Sequence, residues 1–183
     1  MKHTKALIFF TVVIIAAAFV QAPAQTDVVK RLPAGELERK IYKKLVRLPY
    51  YGVFDHLAYK IEDGTLTLYG KVANARVRRD AEHAVKDLEG VREVVNRIEA
   101  LPPSSFDDRI RRRVLRTLAE KGLFRYLQEP NPSVRLIVDG GRLELEGVVA
   151  NRGDYNLMNI LARGVSDVFS VQNNLLIEKE LDR

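Results

Sequence analysis

The stretch GTLTLYGKVAN at Gly64–Asn74 returns as GRLELEGVVAN at Gly141–Asn151, and the match runs without a gap from Gly64–Ile98 onto Gly141–Leu175. The identical pairs are Gly64/Gly141, Leu66/Leu143, Leu68/Leu145, Gly70/Gly147, Val72/Val149, Ala73/Ala150, Asn74/Asn151, Val91/Val168, Val94/Val171 and Asn96/Asn173. Composition alone would give roughly two or three matches over such a length. The chain is therefore a tandem of two copies of one small module. Both copies keep turn glycines and core aliphatics and share no catalytic group, so what repeats is a scaffold.

Within the first copy, Leu66, Leu68, Gly70 and Val72 alternate with Thr65, Thr67, Tyr69 and Lys71, which predicts a strand with one buried face. A strand over Leu57–Ile61 precedes it, and Asp63-Gly64 between them is a tight-turn signal. Val77, Ala81, Ala84, Val85 and Leu88 mark the inner side of a helix that Gly90 ends, and Val91–Ala100 supplies a third strand. Upstream, Leu37, Ile41, Leu45 and Leu48 form a helical stripe that Pro49 stops. The second copy repeats this order. Phe106, Ile110, Val114 and Leu118 form the stripe, Val134–Val138 and Arg142–Val149 the hairpin, Asp154–Arg163 the helix and Val168–Ile177 the last strand. A strand–helix–strand crossover returns parallel and right-handed. The expected fold is α+β: two tandem modules, each helix–strand–strand–helix–strand, with a mixed three-stranded sheet, two helices on one face and a partly wet opposite face. Because each copy has its own stripe, hairpin and closing strand, each is predicted to fold alone.

The remaining chain sets the boundaries. Lys2 and Lys5 precede an uncharged apolar run, Ala6–Val20, and Ala22-Pro23-Ala24 suits a signal peptidase. The run is shorter than the roughly 20 residues of a spanning helix, so residues 1–24 are expected to be a cleaved signal peptide, the alternative being a retained anchor. A flexible leader at 25–35, a first domain at 36–101, a Pro102-Pro103 linker at 102–105 and a second domain at 106–180 follow. Losing Lys2 and Lys5 takes the formal charge from +6 to +4. That mildly basic balance does not argue for nucleic acid. The chain has no Cys, so an exported form has neither disulfide nor lipid-bearing thiol and relies on packing.

The order of elements, the motif G-x-L-x-L-x-G-x-V-x-N and the closing V-x-x-V-x-N-x-[IL], each present twice, resemble the BON domain, named for bacterial osmotic-shock and nodulation proteins. With a signal peptide ahead, the whole is similar to periplasmic dual-BON proteins. The resemblance implies a non-enzymatic, exported envelope protein that binds anionic phospholipid surfaces and supports envelope integrity or osmotic-stress tolerance. It implies no cofactor. The rival reading is a protein-interaction or chaperone-like module that docks an envelope protein through sheet edges or an aromatic loop.

The shared glycines and asparagines have structural readings. Gly64 and Gly141 serve turns, and Gly70 and Gly147 imply a bulge or a close helix overhead. Asn74 and Asn151 sit where a helix N-cap is needed. Asn96 and Asn173, disfavoured in a strand, call for a side-chain bond to a neighbouring loop.

Two stretches are candidates for binding. Arg109, Arg112, Arg113 and Arg116 fall at i, i+3, i+4 and i+7 and form one basic stripe, and Phe124 and Tyr126 follow closely. Cations and aromatics at one edge suit an anionic lipid surface. The plainer reading is a solvated face partly neutralised by Asp108 with Arg112 and Glu120 with Arg116. The loop Tyr50-Tyr51-Gly52-Val53-Phe54 is the second candidate, either an exposed apolar patch or a fold-back that closes a small core. Enzymatic signals are thin. His3, His56 and His83 share no metal spacing, no Gly-rich phosphate loop follows a strand, and no Ser has a His in a recognisable motif.

Overall fold

Asp63 and Gly64 both take positive φ (47° and 78°), as do Gly140 and Gly141 (54° and 76°), the pairing that lets a two-residue turn match strand twist. Each turn closes one antiparallel hairpin in a computed structural model that describes residues 35–181. The expected signal peptide and all of the leader but Gly35 lie outside the described residues. In the first module, α1 (Glu36–Leu45) precedes β1 (His56–Glu62), β2 (Thr65–Val72), α2 (Ala75–Val85), β3 (Glu93–Asn96) and β4 (Glu99–Ala100). The second has α3 (Ser105–Leu118), β5 (Val134–Asp139), β6 (Arg142–Val149), α4 (Arg152–Arg163) and β7 (Ser170–Ile177), with a short α5 (Glu178–Leu181) that the sequence reading does not contain.

Both sheets are mixed: β1 runs antiparallel to β2 and β5 to β6, while β3 and β4 run parallel to β2 and β7 parallel to β6. The closing strand of the first module is broken between Asn96 and Glu99, although Asn96 Oδ1 accepts the Ile98 amide (3.1 Å) just as Asn173 Oδ1 accepts the Leu175 amide (3.2 Å) in the second. In the second module the ladder runs on from Ser170 to Ile177. Leu66, Leu68 and Val72 meet Ile41, Leu45, Val77, Ala81 and Val85 in one core, so both helices cover one face. Leu143, Leu145 and Val149 do the same with Ile110, Val114, Leu118, Met158 and Ala162.

The two helix-capping asparagines and Asn96 hold this frame. Asn74 Oδ1 accepts the Arg76 amide (3.0 Å) and Asn151 Oδ1 the Asp154 amide (2.9 Å), capping α2 and α4. Asn96 bonds a helix rather than a loop: its Nδ2 donates to Arg78 O and to Glu82. At Gly70 and Gly147 a Cβ would collide with the carbonyl oxygen of His56 or Ser133, and φ is +118° and +121°. The crowding partner is the adjacent strand, not a helix overhead.

The modules do not stand apart. Val53, from the loop after α1, is 5% exposed and packs in the core of the second module, with Phe54 against it. The Leu136 amide donates to Val53 O at 2.7 Å, and Glu129 Oε1 accepts the Val53 amide at 2.9 Å. Arg135 is buried, donates to Gly52 O at 2.8 Å and lies 4.3 Å from the Tyr51 ring centroid. Lys71 of β2 pairs with Glu144 of β6 at 2.7 Å. All of β5 but its last residue is buried, including Ile137 on the face away from the helices. The fold-back reading of the aromatic loop is right in kind, but the core that Val53 and Phe54 close belongs to the other module.

Candidate functional site at the module junction

The loop at residues 50–55 and the outer side of α3 enclose an open groove of about 1180 Å³. The first turn of α3 sets the helix in place. Ser104 Oγ accepts the Asp107 amide, and the buried Asp107 carboxylate accepts the amides of Gly140 (3.1 Å) and Gly141 (2.8 Å), tying α3 to the β5–β6 turn. With Ile110, Val114 and Leu118 in the core, helical spacing turns Arg112, Leu115, Arg116 and Ala119 toward the groove. Val53, Phe54, Leu115 and Leu127 give it an apolar lining, and the exposed rings of Tyr50 and Phe124 stand at its edge.

Two acids reach the groove, and both are already engaged. Asp55 accepts the amides of Gly52 (2.9 Å) and Ala73 (2.7 Å), which fixes the loop against the β2–α2 junction. Burial pushes its carboxyl above the ordinary value, against the pull of the Gly52, Ala73 and Asn74 amides and of Arg135. Glu129 is held by the Val53 amide. Arg112 and Arg116 are exposed and have no ion-pair partner among the described residues. Asp108 pairs instead with Arg111 (2.7 Å), whose buried guanidinium also donates to Val138 O. The free charge at the groove is therefore positive.

The candidates from the sequence divide accordingly. Arg112, Arg116 and Phe124 come together in the groove, with Tyr50 and Phe54 of the other candidate stretch. Arg109 points along α3 toward Phe106, 5.8 Å from its ring centroid. Arg113 is tied to Asp167 and to Ser166 O, between α3 and the segment after α4. Tyr126 needs correction, because it is 6% exposed and lies in the core. The chain leaves α3 through Gly122 (φ +85°) and a 3-10 turn at Phe124–Tyr126, which sends Phe124 outward and Tyr126 inward. The Tyr126 hydroxyl then donates to Asp154 (2.6 Å) and accepts the Ala150 amide (3.1 Å). That bond is the first cause holding the Asp154 carboxyl below its usual value, with Arg125 adding to it. Asp55 and Glu129 were not singled out in the sequence. Only the pairing of a loop acid with a tight Gly52 turn hints at the first, and nothing local marks the second.

Among the described residues no helix is long and apolar enough to cross a membrane. No curated protein matches the chain. Two solved structures are similar to it, both of CdsD, a structural protein of the type III secretion system of Chlamydia trachomatis, one of them described as its C-terminal domain. Each is 11% identical and covers 81% of this chain; they are covered to 99% and 96% of their own length, with TM-scores of 0.31 and 0.33. The BON domain family model matches residues 34–102 and again 106–179, one match for each module. Two adjacent matches that span nearly all of the described residues, on a fold that repeats with the sequence, make this chain a member of the BON domain family.

Proposed function

We propose that the chain is a non-enzymatic envelope protein, exported to the periplasm, that binds anionic phospholipid surfaces through the groove side of its second module and so supports envelope integrity or osmotic-stress tolerance. Membership of the BON family supports the envelope setting. One observation carries the lipid reading: Arg112 and Arg116, exposed and without ion-pair partners among the described residues, flank an apolar groove edged by the exposed Phe124 and Tyr50. Cations beside aromatic and aliphatic surface match the chemistry of a headgroup layer over acyl chains.

Sedimentation with phosphatidylglycerol-containing vesicles tests it. Binding should appear only with anionic lipid and weaken with salt. Arg112→Glu with Arg116→Glu should cost about 4 kcal/mol, since each surface cation contributes about 1 kcal/mol and reversal counts roughly twice. Unchanged binding by a folded double variant would remove this surface. No binding of the parent protein at any lipid composition would favour the protein-interaction reading. The aromatic loop offers that rival little, because Val53 and Phe54 are already packed against the second module.

A further inference from the structure

Three equivalent positions differ between the two modules in one direction. Asp80, His83 and Arg92 of the first module correspond, through the gapless repeat, to Leu157, Ile160 and Phe169 of the second. The apolar residues are not buried: Leu157 is 38% exposed, Ile160 67% and Phe169 72%. The first module reaches the same fold with charged and polar side chains there, so the scaffold does not demand apolar ones. Arg92 and Phe169 even occupy matching places, each against the turn glycine of its own hairpin, Gly64 or Gly141.

These residues share a side of the second module with the basic helix. Met158 and Ala162 face the core, so Ile160, roughly 200° round the helix from Met158, points away from the sheet. On α3 the core residues Ile110 and Val114 turn Arg109, Arg112 and Arg116 outward from the same sheet face. The helices are in contact along one face of the sheet, and Arg113 bridges α3 to Ser166 and Asp167 just past α4. Phe169 stacks on Phe106 of α3 at 5.8 Å, and Arg109 lies over Phe106. The outer surface of the helix layer thus carries arginines on one helix and exposed aliphatics on the other, with an aromatic pair joining their ends.

We propose that Leu157, Ile160 and Phe169 insert into the same anionic lipid surface that the α3 arginines approach, so that the whole outer face of the second module's helix layer is the seat and the first module's equivalent face is not. The inference rests on the lipid reading above. A second copy of the chain is the rival occupant, but a two-fold contact on this face would bring the arginines of α3 toward their own copies. An anionic bilayer surface satisfies the cations and takes up the apolar groups together.

The chain contains no Trp, so single tryptophans report position cleanly. Ile160→Trp, Phe169→Trp and, in the first module, His83→Trp would each be mixed with vesicles of equal parts phosphatidylglycerol and phosphatidylcholine, with and without brominated acyl chains. Blue-shifted, bromine-quenched emission from Ile160→Trp and Phe169→Trp but not His83→Trp is the expected result. In the Trp-free parent, Ile160→Ser with Phe169→Ser should weaken sedimentation by roughly tenfold or more, with circular dichroism unchanged. Binding of the parent protein with no quenching at either second-module site, or equal quenching at His83→Trp, would overturn this inference and leave the lipid reading intact. A blue shift of Ile160→Trp that follows protein concentration without vesicles would overturn it in favour of self-association. Failure of the parent protein to bind these vesicles would remove the lipid reading and this inference with it.

Discussion

The carbonyl oxygen of Val53 accepts the Leu136 amide at 2.7 Å, so a loop of the first module supplies one strand-like bond to the open edge of β5 in the second. An open edge is a site of unwanted pairing, and here the neighbouring module covers it. Val53 also places its side chain in the second core. Val53→Ala should therefore destabilise the second module by about 2 kcal/mol, the transfer of two methyl groups plus a small cavity. Hydrogen exchange at the Leu136 amide should quicken in the full chain. Unaltered protection at Leu136 would mean the contact contributes nothing in solution.

Gly147→Ala and Gly70→Ala should each cost more than about 3 kcal/mol, because a Cβ meets backbone of the neighbouring strand and φ lies near +120°. Gly122→Ala is the control. Its φ is +85° but nothing lies within 4 Å of the added carbon, so it should cost only about 1–2 kcal/mol of backbone strain. Denaturant melts of the three variants decide the matter. Equal costs would show that conformational strain alone, and not the strand contact, makes these glycines necessary.

Much of this was legible because it is local. Alternation at Leu66–Val72 gave the buried face, the Asp63-Gly64 pair gave the turn, and Asn74 and Asn151 declared their caps by standing just before amphipathic runs. What was illegible depends on residues far apart in the chain. Nothing near Val53 announces that its partner is Leu136, and nothing near Arg135 announces Gly52. Tyr126 was misplaced because a short aromatic segment has no periodicity, and the positive φ of Gly122 rotates alternate rings to opposite sides. Arg111 escaped notice because arginine is rarely buried, and it is buried here only because Asp108 and Val138 O satisfy part of its guanidinium.

Leu68→Ala and Leu145→Ala act at the same place in the two copies, at 1% and 0% exposure. Each should cost about 2–5 kcal/mol. Because Val53 ties the first module to the core of the second, thermal unfolding of the second module should also respond to Leu68→Ala. A melt in which either substitution leaves stability unchanged would contradict the assigned inner face.

Tyr59 sets an alkaline limit. Burial first, then Glu38 and Tyr42, pushes its hydroxyl up to about 12, and the hydroxyl donates to Glu38 O at 3.0 Å. The folded value lies above the ordinary one of about 10. Its contribution to stability is therefore full below pH about 10 and is lost as pH rises toward 12. Tyr59→Phe should flatten the fall of stability across that window and shrink the latest step of the tyrosinate absorbance titration. A titration identical to that of the parent would show that Tyr59 ionises with the exposed tyrosines.

Arg135 decides whether the two modules melt as one. Its guanidinium donates to Gly52 O at 2.8 Å and to Asn131 at 3.1 Å, and it covers the Tyr51 ring. Both Gly52 and Tyr51 belong to the first module, whereas Arg135 stands on β5 of the second. A buried hydrogen bond to a charged group contributes about 1.5–3 kcal/mol, and removing it also uncovers the Gly52 carbonyl. Lysine cannot replace the fork, because one ammonium does not reach two acceptors in a plane and stack on a ring. Arg135→Ala and Arg135→Lys should both weaken the junction. Calorimetry should then show the single transition expected of the parent protein dividing in two. The burial of Arg135 makes this coupling less sensitive to salt than the half-exposed Lys71–Glu144 pair. High salt should accordingly leave the parent's single transition intact, and a parent protein that already melts in two separate steps would refute the coupling.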